Sequence, residues 1–136
     1  MSDITRIEVT GVDAYNVLVG RGLLGEIRPQ IPTTAKKVLL IHPLALQVSA
    51  DALADELRNG GLEVFQVGVS DGEDAKRVEV AAWCWGIMGK SDFTRSDAII
   101  GFGGGSTTDL SGFVAATWLR GIAYIAIPTT LLGMVD

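Results

Sequence analysis

The chain has 136 residues, 48% of them hydrophobic, and this length and composition are typical of a single folded domain with a buried core. The 16 acidic and 11 basic side chains give a net charge of −5, which excludes the basic surface that nucleic-acid binding requires. The N-terminal residues are polar and no apolar run reaches about 18 residues, so we expect neither a secretory signal nor a membrane span. The single cysteine, Cys84, cannot form an internal disulfide, and we therefore expect a cytoplasmic protein.

The first third of the chain predicts a hairpin followed by a buried strand. Residues 6–10 alternate in polarity and residues 15–20 supply a second strand after a short turn at 11–14, which indicates an N-terminal β-hairpin. Residues 22–30 predict a short amphipathic helix that ends near Pro32. Residues 37–41 form a continuous apolar run, which is typical of a strand buried on both faces of a parallel sheet.

Strands and helices alternate from this point to the end of the chain. Apolar periodicity predicts helices at 49–58, 78–88 and 107–119 and strands at 63–69, 98–102 and 123–127. The helix 78–88 is apolar on two stripes, so we expect it to be packed on two sides, with Trp83, Cys84 and Trp85 in the core. The whole pattern predicts one α/β domain over residues 1–136, a Rossmann-like doubly wound parallel sheet with the N-terminal hairpin.

A glycine-rich segment at residues 101–109, with glycine at 101, 103, 104 and 105, joins a predicted buried strand to a predicted helix. Glycines at a helix N-terminus let a phosphate approach the backbone N–H groups and the positive end of the helix dipole. No lysine follows Lys90, which excludes a P-loop, and Ser106 stands where the ordinary Rossmann fingerprint requires a third glycine. Neutral backbone donors suit a dinucleotide pyrophosphate. In the alternative interpretation, Ser106 is the N-cap of the helix and forms a capping box with Asp109.

Three motifs in this order share a spacing with one known family. They are DGE-x-x-K at 71–76, GGG-x-x-x-DL-x-GF-x-AAT-x-x-RG at 103–121 and PTTLL-x-x-VD at 128–136. The chain resembles the 3-dehydroquinate synthases, in the sugar-phosphate cyclase group, and more distantly the iron-dependent alcohol and glycerol dehydrogenases. The resemblance implies an enzyme of the shikimate pathway that converts a phosphorylated sugar acid, 3-deoxy-D-arabino-heptulosonate 7-phosphate, to 3-dehydroquinate plus phosphate. It also implies NAD, a divalent metal such as zinc or cobalt, and a homodimer.

The resemblance assigns roles to individual residues. It implies cofactor contacts for Asp71, Gly72, Glu73, Asp74, Ala75, Lys76, Gly104, Gly105, Ser106, Thr107, Thr108, Asp109, Thr129 and Thr130. It implies catalytic roles for Asp136, which would face the nicotinamide and the substrate, and for Arg120, which would reach the substrate phosphate in the partner subunit's site.

Plainer interpretations of some of these residues stay open. Glu73 and Lys76 also suit a helix start, as an acid that complements the dipole and a solvated lysine, and Arg120 also suits a cation at a helix C-terminus before Gly121. His42 departs from the family, so a solvated or capping histidine and a cofactor contact are both open.

The C-terminus stops at Asp136 directly after an apolar run, and the chain therefore looks cut. One histidine and one cysteine cannot supply the usual three protein ligands of a catalytic zinc, so we expect no metal ligands here. The resemblance places those ligands in a C-terminal helical domain that this chain lacks, and we expect the isolated chain to be inactive. Two other functions remain open: another sugar-phosphate cyclase or metal-dependent polyol dehydrogenase, or a stand-alone nucleotide-binding module.

Overall fold

A computed structural model describes residues 4–6, 27–70 and 77–128. The strands are β1 (Ile4–Arg6), β2 (Lys37–Pro43), β3 (Glu63–Val69), β4 (Ala98–Gly103) and β5 (Ala123–Pro128). The α-helices are α1 (Gln47–Asn59), α2 (Arg77–Lys90) and α3 (Gly105–Thr117), with short 3-10 turns at Arg28–Gln30 and Leu44–Leu46. The strands form one parallel sheet in the order β1-β5-β4-β2-β3. Over these residues no helix is both long enough and apolar enough to cross a membrane.

The predicted strands and helices from residue 37 onward are confirmed, each with ends within two residues of the prediction. Most of the predicted hairpin lies outside the described residues; its neighbour β1 pairs in parallel with β5. Of the predicted helix 22–30, only the part from Ile27 onward is described, and this part forms the 3-10 turn Arg28–Gln30.

Helices cover both faces of the sheet, which confirms the doubly wound architecture. Alternate residues of β2 point to opposite faces, because side chains of a strand have a period of two. Val38 and Leu40 belong to the core layer under α1, whereas Leu39 and Ile41 belong to the layer under α2 and α3. Burial of both faces explains the continuous apolar runs of the central strands. A ligand therefore has access mainly at the edges of the sheet, where the strands end.

Helix α2 packs on one side, contrary to the prediction. Its Ala81, Cys84 and Met88 are fully buried, whereas Val78 and Trp83 are 74% and 53% exposed. The predicted two-sided packing of α2, with Trp83 in the core, is therefore wrong for the described part of the chain. Apolar residues run almost all round this helix, so periodicity alone could not identify the buried face.

Cys84 and Trp85 lie on the packed side of α2. Burial raises the pKa of the Cys84 thiol to about 11, so the thiolate is scarce at neutral pH and the residue is chemically inert, as predicted. Trp85 is partly buried against the ring of Phe113 in α3, and its indole N–H donates to the hydroxyl of Thr117 at 3.1 Å. These contacts tie α2 to α3.

Asp97 organises the amino edge of the sheet. Its Oδ1 accepts hydrogen bonds from the backbone N–H groups of Lys36 and Lys37 at 3.0 and 2.9 Å, and its Oδ2 accepts one from the N–H of Thr94 at 2.8 Å. Burial alone raises the pKa of this carboxyl, but the three N–H donors and the Lys37 charge outweigh it and hold the pKa below its ordinary value. One carboxylate thus joins the start of β2 to the loop before β4.

We expect Asp97→Asn to lower the free energy of unfolding by about 1.5–3 kcal/mol at pH 7. The amide N–H₂ would replace a carboxylate oxygen that accepts a hydrogen bond from a backbone N–H, so two donors would face each other. The folded pKa lies below the unfolded value, so the stabilisation is complete above about pH 4 and is lost as the pH falls through the folded pKa. The difference in stability between wild type and variant should therefore shrink below pH 4. Denaturant unfolding at a series of pH values measures it, and a constant difference would contradict this account.

Gly101 allows α3 to pack directly on the backbone of β4. A Cβ at Gly101 would lie 2.6 Å from both Cβ and Oγ of Ser111 and 3.2 Å from the Tyr124 hydroxyl oxygen. Such distances are shorter than any side chain tolerates without movement, so a glycine is required here. The close packing sets how far the N-terminus of α3 stands from the sheet edge.

We expect Gly101→Ala to destabilise the folded protein by about 1–3 kcal/mol through overpacking. Gly86→Ala is the matched control, because Gly86 also lies in a regular element but a Cβ there meets nothing within 4 Å. Thermal unfolding should show a loss for the first variant and no loss for the second. Equal melting temperatures for wild type and Gly101→Ala would mean that α3 can move away freely.

Candidate functional site

The strand order reverses between β2 and β4, and the space above these two strands at the carboxyl edge of the sheet is called here the crevice. β2 leads into α1 on one face, and β4 leads into α3 on the other, although the two strands are neighbours. Open α/β sheets bind ligands at such a switch point, because the two following helices diverge and leave space. The residues that end these strands, Pro43 and Gly103, therefore border the candidate site.

Gly103, Gly104 and Gly105, called here the glycine turn, carry the chain from β4 into α3. Gly103 has a φ of 155°, and a Cβ there would lie 2.7 Å from Cδ of Pro43. A Cβ at Gly105, by contrast, would meet nothing within 4 Å. The first glycine is thus required by the protein's own packing, whereas Gly105 leaves open space at the helix end.

Helix α3 begins at Gly105 with Gly104 as its N-cap, so the predicted capping box is wrong. Ser106 lies inside the first turn instead of at the N-cap, and Asp109 is an exposed residue one turn further on. Gly104 adopts the extended conformation that an N-cap needs, which lets the helix start two residues earlier than predicted. The capping interpretation of Asp109 is thereby removed.

The first helical hydrogen bond runs from the N–H of Thr108 to the carbonyl oxygen of Gly104, at 3.0 Å. In an α-helix the N–H groups of the first turn have no helical acceptor and point out of the N-terminal end, which for α3 lies at the carboxyl edge of the sheet. Thr107 and Thr108 are buried, and the Thr108 hydroxyl donates to the carbonyl oxygens of Gly104 and Gly105 at 3.3 and 3.1 Å. The end of α3 therefore presents neutral backbone donors, which is the arrangement that binds phosphate without a lysine.

Two buried hydroxyls hold this end of α3 in place. The Tyr124 hydroxyl of β5 donates to the carbonyl oxygen of Thr108, and the Ser111 hydroxyl donates to the carbonyl oxygen of Thr107 at 2.7 Å. A Cβ at Gly112 would lie 3.1 Å from the Tyr124 ring, so the helix also packs tightly on this strand. The sequence does not identify Ser111 or Tyr124, or the packing role of Gly101, because these contacts form between residues that are distant in sequence.

His42 is fully buried at the end of β2, so the solvated interpretation of this residue is wrong. Its Nδ1 lies 2.9 Å from the carbonyl oxygen of Pro43, which is the next residue in the chain. Alternating side-chain direction puts it on the α1 face, where its Cε1 lies beside Gly68 of β3.

Arg120 lies at the opposite, amino edge of the sheet, in a turn between α3 and β5. The helix ends at Thr117 with no basic residue in its last turn, so the interpretation of Arg120 as a helix C-terminal cation is wrong. Leu119 and Arg120 both have left-handed φ values, 47° and 69°, and the N–H of Gly121 donates to the carbonyl oxygen of Trp118 at 2.7 Å. Such a turn costs side-chain-bearing residues about 1–3 kcal/mol each, and this kind of strain concentrates at functional sites. Arg120 is exposed there.

Several predicted site residues lie outside the described residues: Asp71, Gly72, Glu73, Asp74, Ala75, Lys76, Thr129, Thr130 and Asp136. The strands that precede these segments, β3 and β5, both end at the carboxyl edge, as β4 does. Gly104 through Asp109 are brought together at the crevice, and Arg120 is not among them. Within the described ranges no three His, Cys, Asp or Glu side chains come close enough to hold a metal ion.

Comparison with known proteins identifies the same stretch of chain. The family described as 3-dehydroquinate synthase N-terminal matches residues 66–136. The 3-dehydroquinate synthase of Streptomyces avermitilis is 54% identical over 136 residues, which cover 98% of this chain and 38% of that protein. The chain thus spans 38% of the length of this relative.

Solved structures share the fold. The 2-epi-5-epi-valiolone synthase from Streptomyces hygroscopicus subsp. jinggangensis, with NAD⁺ and Zn²⁺ bound, superimposes with a TM-score of 0.68 at 23% identity, over 100% of this chain and 36% of that one. A 2-deoxy-scyllo-inosose synthase complexed with carbaglucose-6-phosphate, NAD⁺ and Co²⁺ also has a TM-score of 0.68, at 22% identity over 89% of this chain and 31% of that one. At these identities the likeness concerns the fold.

Proposed function

The chain belongs to the 3-dehydroquinate synthase family, and we propose that it is the NAD-binding portion of such a synthase. The full-length protein would convert 3-deoxy-D-arabino-heptulosonate 7-phosphate to 3-dehydroquinate with release of phosphate, in the shikimate pathway. One observation supports the proposal: the glycine turn and the N-terminus of α3 lie at the switch point of the sheet, inside the matched segment, with no lysine beside them.

The residues at the crevice fit a dinucleotide pyrophosphate. The donors are backbone N–H groups, and the open space beside Gly105 allows a phosphate to approach them closely. The pyrophosphate would be held by the backbone of Gly104, Gly105, Ser106 and Thr107. The Thr108 hydroxyl already donates to carbonyl oxygens of its own helix, so the proposed contact of Thr108 would also be through its backbone. The exposed Asp109 would accept a hydrogen bond from the nicotinamide-side ribose.

The remaining cofactor contacts are proposed from the family motif. Asp71 to Lys76 would bind the adenosine side, with Glu73 accepting from ribose hydroxyls, and Thr129 and Thr130 would add hydroxyl donors. NAD bound in this way would supply reversible hydride transfer with the substrate. Asp136 would orient the nicotinamide and the substrate.

A divalent metal, zinc or cobalt, is part of the proposal, supported by the Zn²⁺ and Co²⁺ that the two cyclase structures hold. This chain has one histidine and one cysteine, fewer than the side chains that most catalytic zinc sites use, so at least part of the metal ligands would come from the rest of the protein. We therefore expect no turnover from the isolated 136 residues.

Arg120 supports a homodimer as the working form. Helix α3 has 13 residues and so spans about 20 Å, which places Arg120 at the amino edge of the sheet and its own glycine turn at the carboxyl edge. An exposed guanidinium there suits bidentate binding of a substrate phosphate that belongs to a second subunit. The residue would then complete the partner subunit's site.

The test is phosphate release by the purified full-length protein. We expect release from the heptulosonate phosphate that requires NAD and a divalent metal and that leaves no net NADH. Net accumulation of NADH on a polyol would instead favour a metal-dependent polyol dehydrogenase, and turnover of a different sugar phosphate would favour another cyclase. NAD binding without turnover of either substrate class would favour a nucleotide-binding module.

We expect Asp109→Asn to leave thermal stability within about 0.5 kcal/mol, because the side chain is exposed and caps nothing, but to weaken NAD binding about 3- to 10-fold. Asp55→Asn, an exposed acid on α1, is the control and should change neither quantity beyond that range. Calorimetric titration of the full-length protein measures the affinity. Unaltered NAD affinity in Asp109→Asn would remove this residue from the proposed site.

A further inference from the structure

The turn that follows α3 holds two large residues in a conformation that glycine and asparagine prefer. Residues 118–121 form a tight turn, closed by a hydrogen bond from the N–H of Gly121 to the carbonyl oxygen of Trp118 at 2.7 Å. Its central residues, Leu119 and Arg120, have φ values of 47° and 69°. Positive φ at both central positions is the signature of a type I′ turn, which strongly favours Asn, Asp and Gly there. Leucine and arginine therefore occupy this turn at a cost in backbone strain.

This sequence also permits a helix end without that strain. Gly121 could stand at the C′ position of a helix that continued through residue 120, and glycine carries no penalty there. The helix instead ends at Thr117. Among the described residues, the other non-glycine residue with positive φ is Asp92, whose short polar side chain tolerates this conformation. Leu119 and Arg120 have no such side chain, so local propensity does not explain the turn.

Contacts at both ends of the turn impose its shape. The N–H of Ile122 donates to a carbonyl oxygen in the last turn of α3 at 3.1 Å, and the Ile122 side chain is buried. Trp118 packs against the core layer under α2 and α3, and its ring lies 3.8 Å from where a Cβ at Gly89 would stand. Between these anchors Leu119 is 46% exposed and Arg120 is exposed. With both ends fixed, the backbone of Leu119 sets the place from which Arg120 projects.

We propose that Leu119 is a positioning residue, whose left-handed backbone directs the Arg120 guanidinium away from its own subunit and toward the substrate phosphate in the partner subunit's site. The inference rests on the proposed synthase function and adds to it the structural device that orients the arginine. A right-handed residue 119 would rotate the next peptide group and carry Arg120 to another place on the surface. Bidentate binding of a phosphate requires a defined guanidinium direction, so a turn with one fixed hand favours it.

Two substitutions at residue 119 separate the backbone from the side chain. Valine keeps an apolar side chain, but its branched Cβ opposes positive φ; asparagine loses the apolar side chain and tolerates positive φ. In the full-length protein we expect Leu119→Val to lower kcat/KM for the heptulosonate phosphate about 10- to 50-fold, mainly through a higher KM, since small displacements of a binding group cause losses of this size. Leu119→Asn should stay within about twofold of the wild type.

The cofactor site, the fold and a double variant supply the controls. NAD affinity should stay within about twofold of the wild type in both variants, because residue 119 lies at the edge of the sheet opposite the glycine turn. The melting temperature should fall by a few degrees in Leu119→Val, where the strain increases, and should not fall as far in Leu119→Asn. Adding Leu119→Val to Arg120→Ala should cause no further loss of turnover, because Leu119 acts only through the arginine.

Steady-state kinetics of phosphate release, calorimetry with NAD and thermal unfolding give the readouts. Wild-type kcat/KM in Leu119→Val overturns the inference alone, and so does a larger loss in Leu119→Asn than in Leu119→Val, which assigns the effect to the apolar side chain. A fall in NAD affinity parallel to that in kcat/KM indicates a purely structural turn, and a further loss in the double variant shows that Leu119 acts without the arginine; either result overturns it as well. No phosphate release by the wild-type protein with NAD and metal overturns the proposed function itself.

Discussion

Replacing Gly105 with alanine is expected to weaken NAD binding by the full-length protein about 10- to 100-fold while leaving the fold intact. The Cβ of a helical residue leans toward the helix N-terminus, so a methyl group at the first residue of α3 would project from the helix end into the crevice. It would keep the pyrophosphate from the backbone N–H groups, and each charge-assisted hydrogen bond lost contributes about 1.5–3 kcal/mol.

The protein itself has room for this methyl group, because a Cβ at Gly105 meets no other atom within 4 Å. Alanine is also a better helix former than glycine by about 0.5–1 kcal/mol, so the melting temperature should rise or stay constant. Any loss of binding would then come from the ligand side alone.

Gly86→Ala is the matched control for Gly105→Ala. Both glycines lie in helices and both have open space where the Cβ would stand, but Gly86 lies in α2, away from the crevice. We expect a similar or higher melting temperature in both variants and weaker NAD binding in Gly105→Ala only, by calorimetry. Wild-type affinity in Gly105→Ala would mean that no phosphate approaches the glycine turn, and it would falsify the cofactor site proposed here.

Arg120→Ala is expected to remove most synthase turnover in the full-length protein while NAD affinity stays at the wild-type level. The guanidinium would bind the substrate phosphate, and bidentate charge-assisted bonds of this kind contribute several kcal/mol in all, at about 1.5–3 kcal/mol for each bond. Since Arg120 lies at the edge of the sheet opposite its own glycine turn, the loss should appear in the partner subunit's site.

Mixing two inactive variants tests this assignment. A dimer of one Arg120→Ala subunit and one Gly105→Ala subunit has one site with an intact glycine turn and an intact arginine, if the arginine acts across the interface. Random exchange makes half of the dimers mixed, so activity should recover to about one quarter of the wild-type level, at an NAD concentration that saturates only the intact turn.

If the arginine serves its own subunit, both sites of a mixed dimer carry a defect and mixing restores nothing. Subunit exchange is verified separately, by mass spectrometry of subunits with different tags. Arg95→Ala is the matched control, because Arg95 is another exposed arginine at the amino edge, in the loop before β4. It should retain wild-type turnover.

Local pattern determined the regular elements well. The strand and helix bounds from residue 37 onward follow from apolar periodicity, because each buried strand and each amphipathic helix repeats its own signal several times. The glycine turn could likewise be read from adjacent residues. The start of α3 was predicted two residues late, because Ser106 looked a better N-cap than Gly104, whereas the extended Gly104 takes that place.

The sequence pattern does not predict which face of a helix is buried when apolar residues surround the helix. The apolar residues of α2 surround the helix, so periodicity could not show that Trp83 faces outward. Arg120 was predicted to end α3, but the helix stops at Thr117 and a left-handed turn follows it. The tight contacts of Gly101 and Tyr124 could not be predicted either, since they form between residues far apart in sequence.

By itself, then, the sequence determined the α/β class, the order of its elements and the position of the glycine turn, because each of these is encoded by neighbouring residues. Only the tertiary structure decided that β2 lies beside β4, since strand order depends on how the helices pack against both faces of the sheet. That pairing brings Pro43 against Gly103 and buries His42 one strand away from the glycine turn, although the two segments are far apart along the chain.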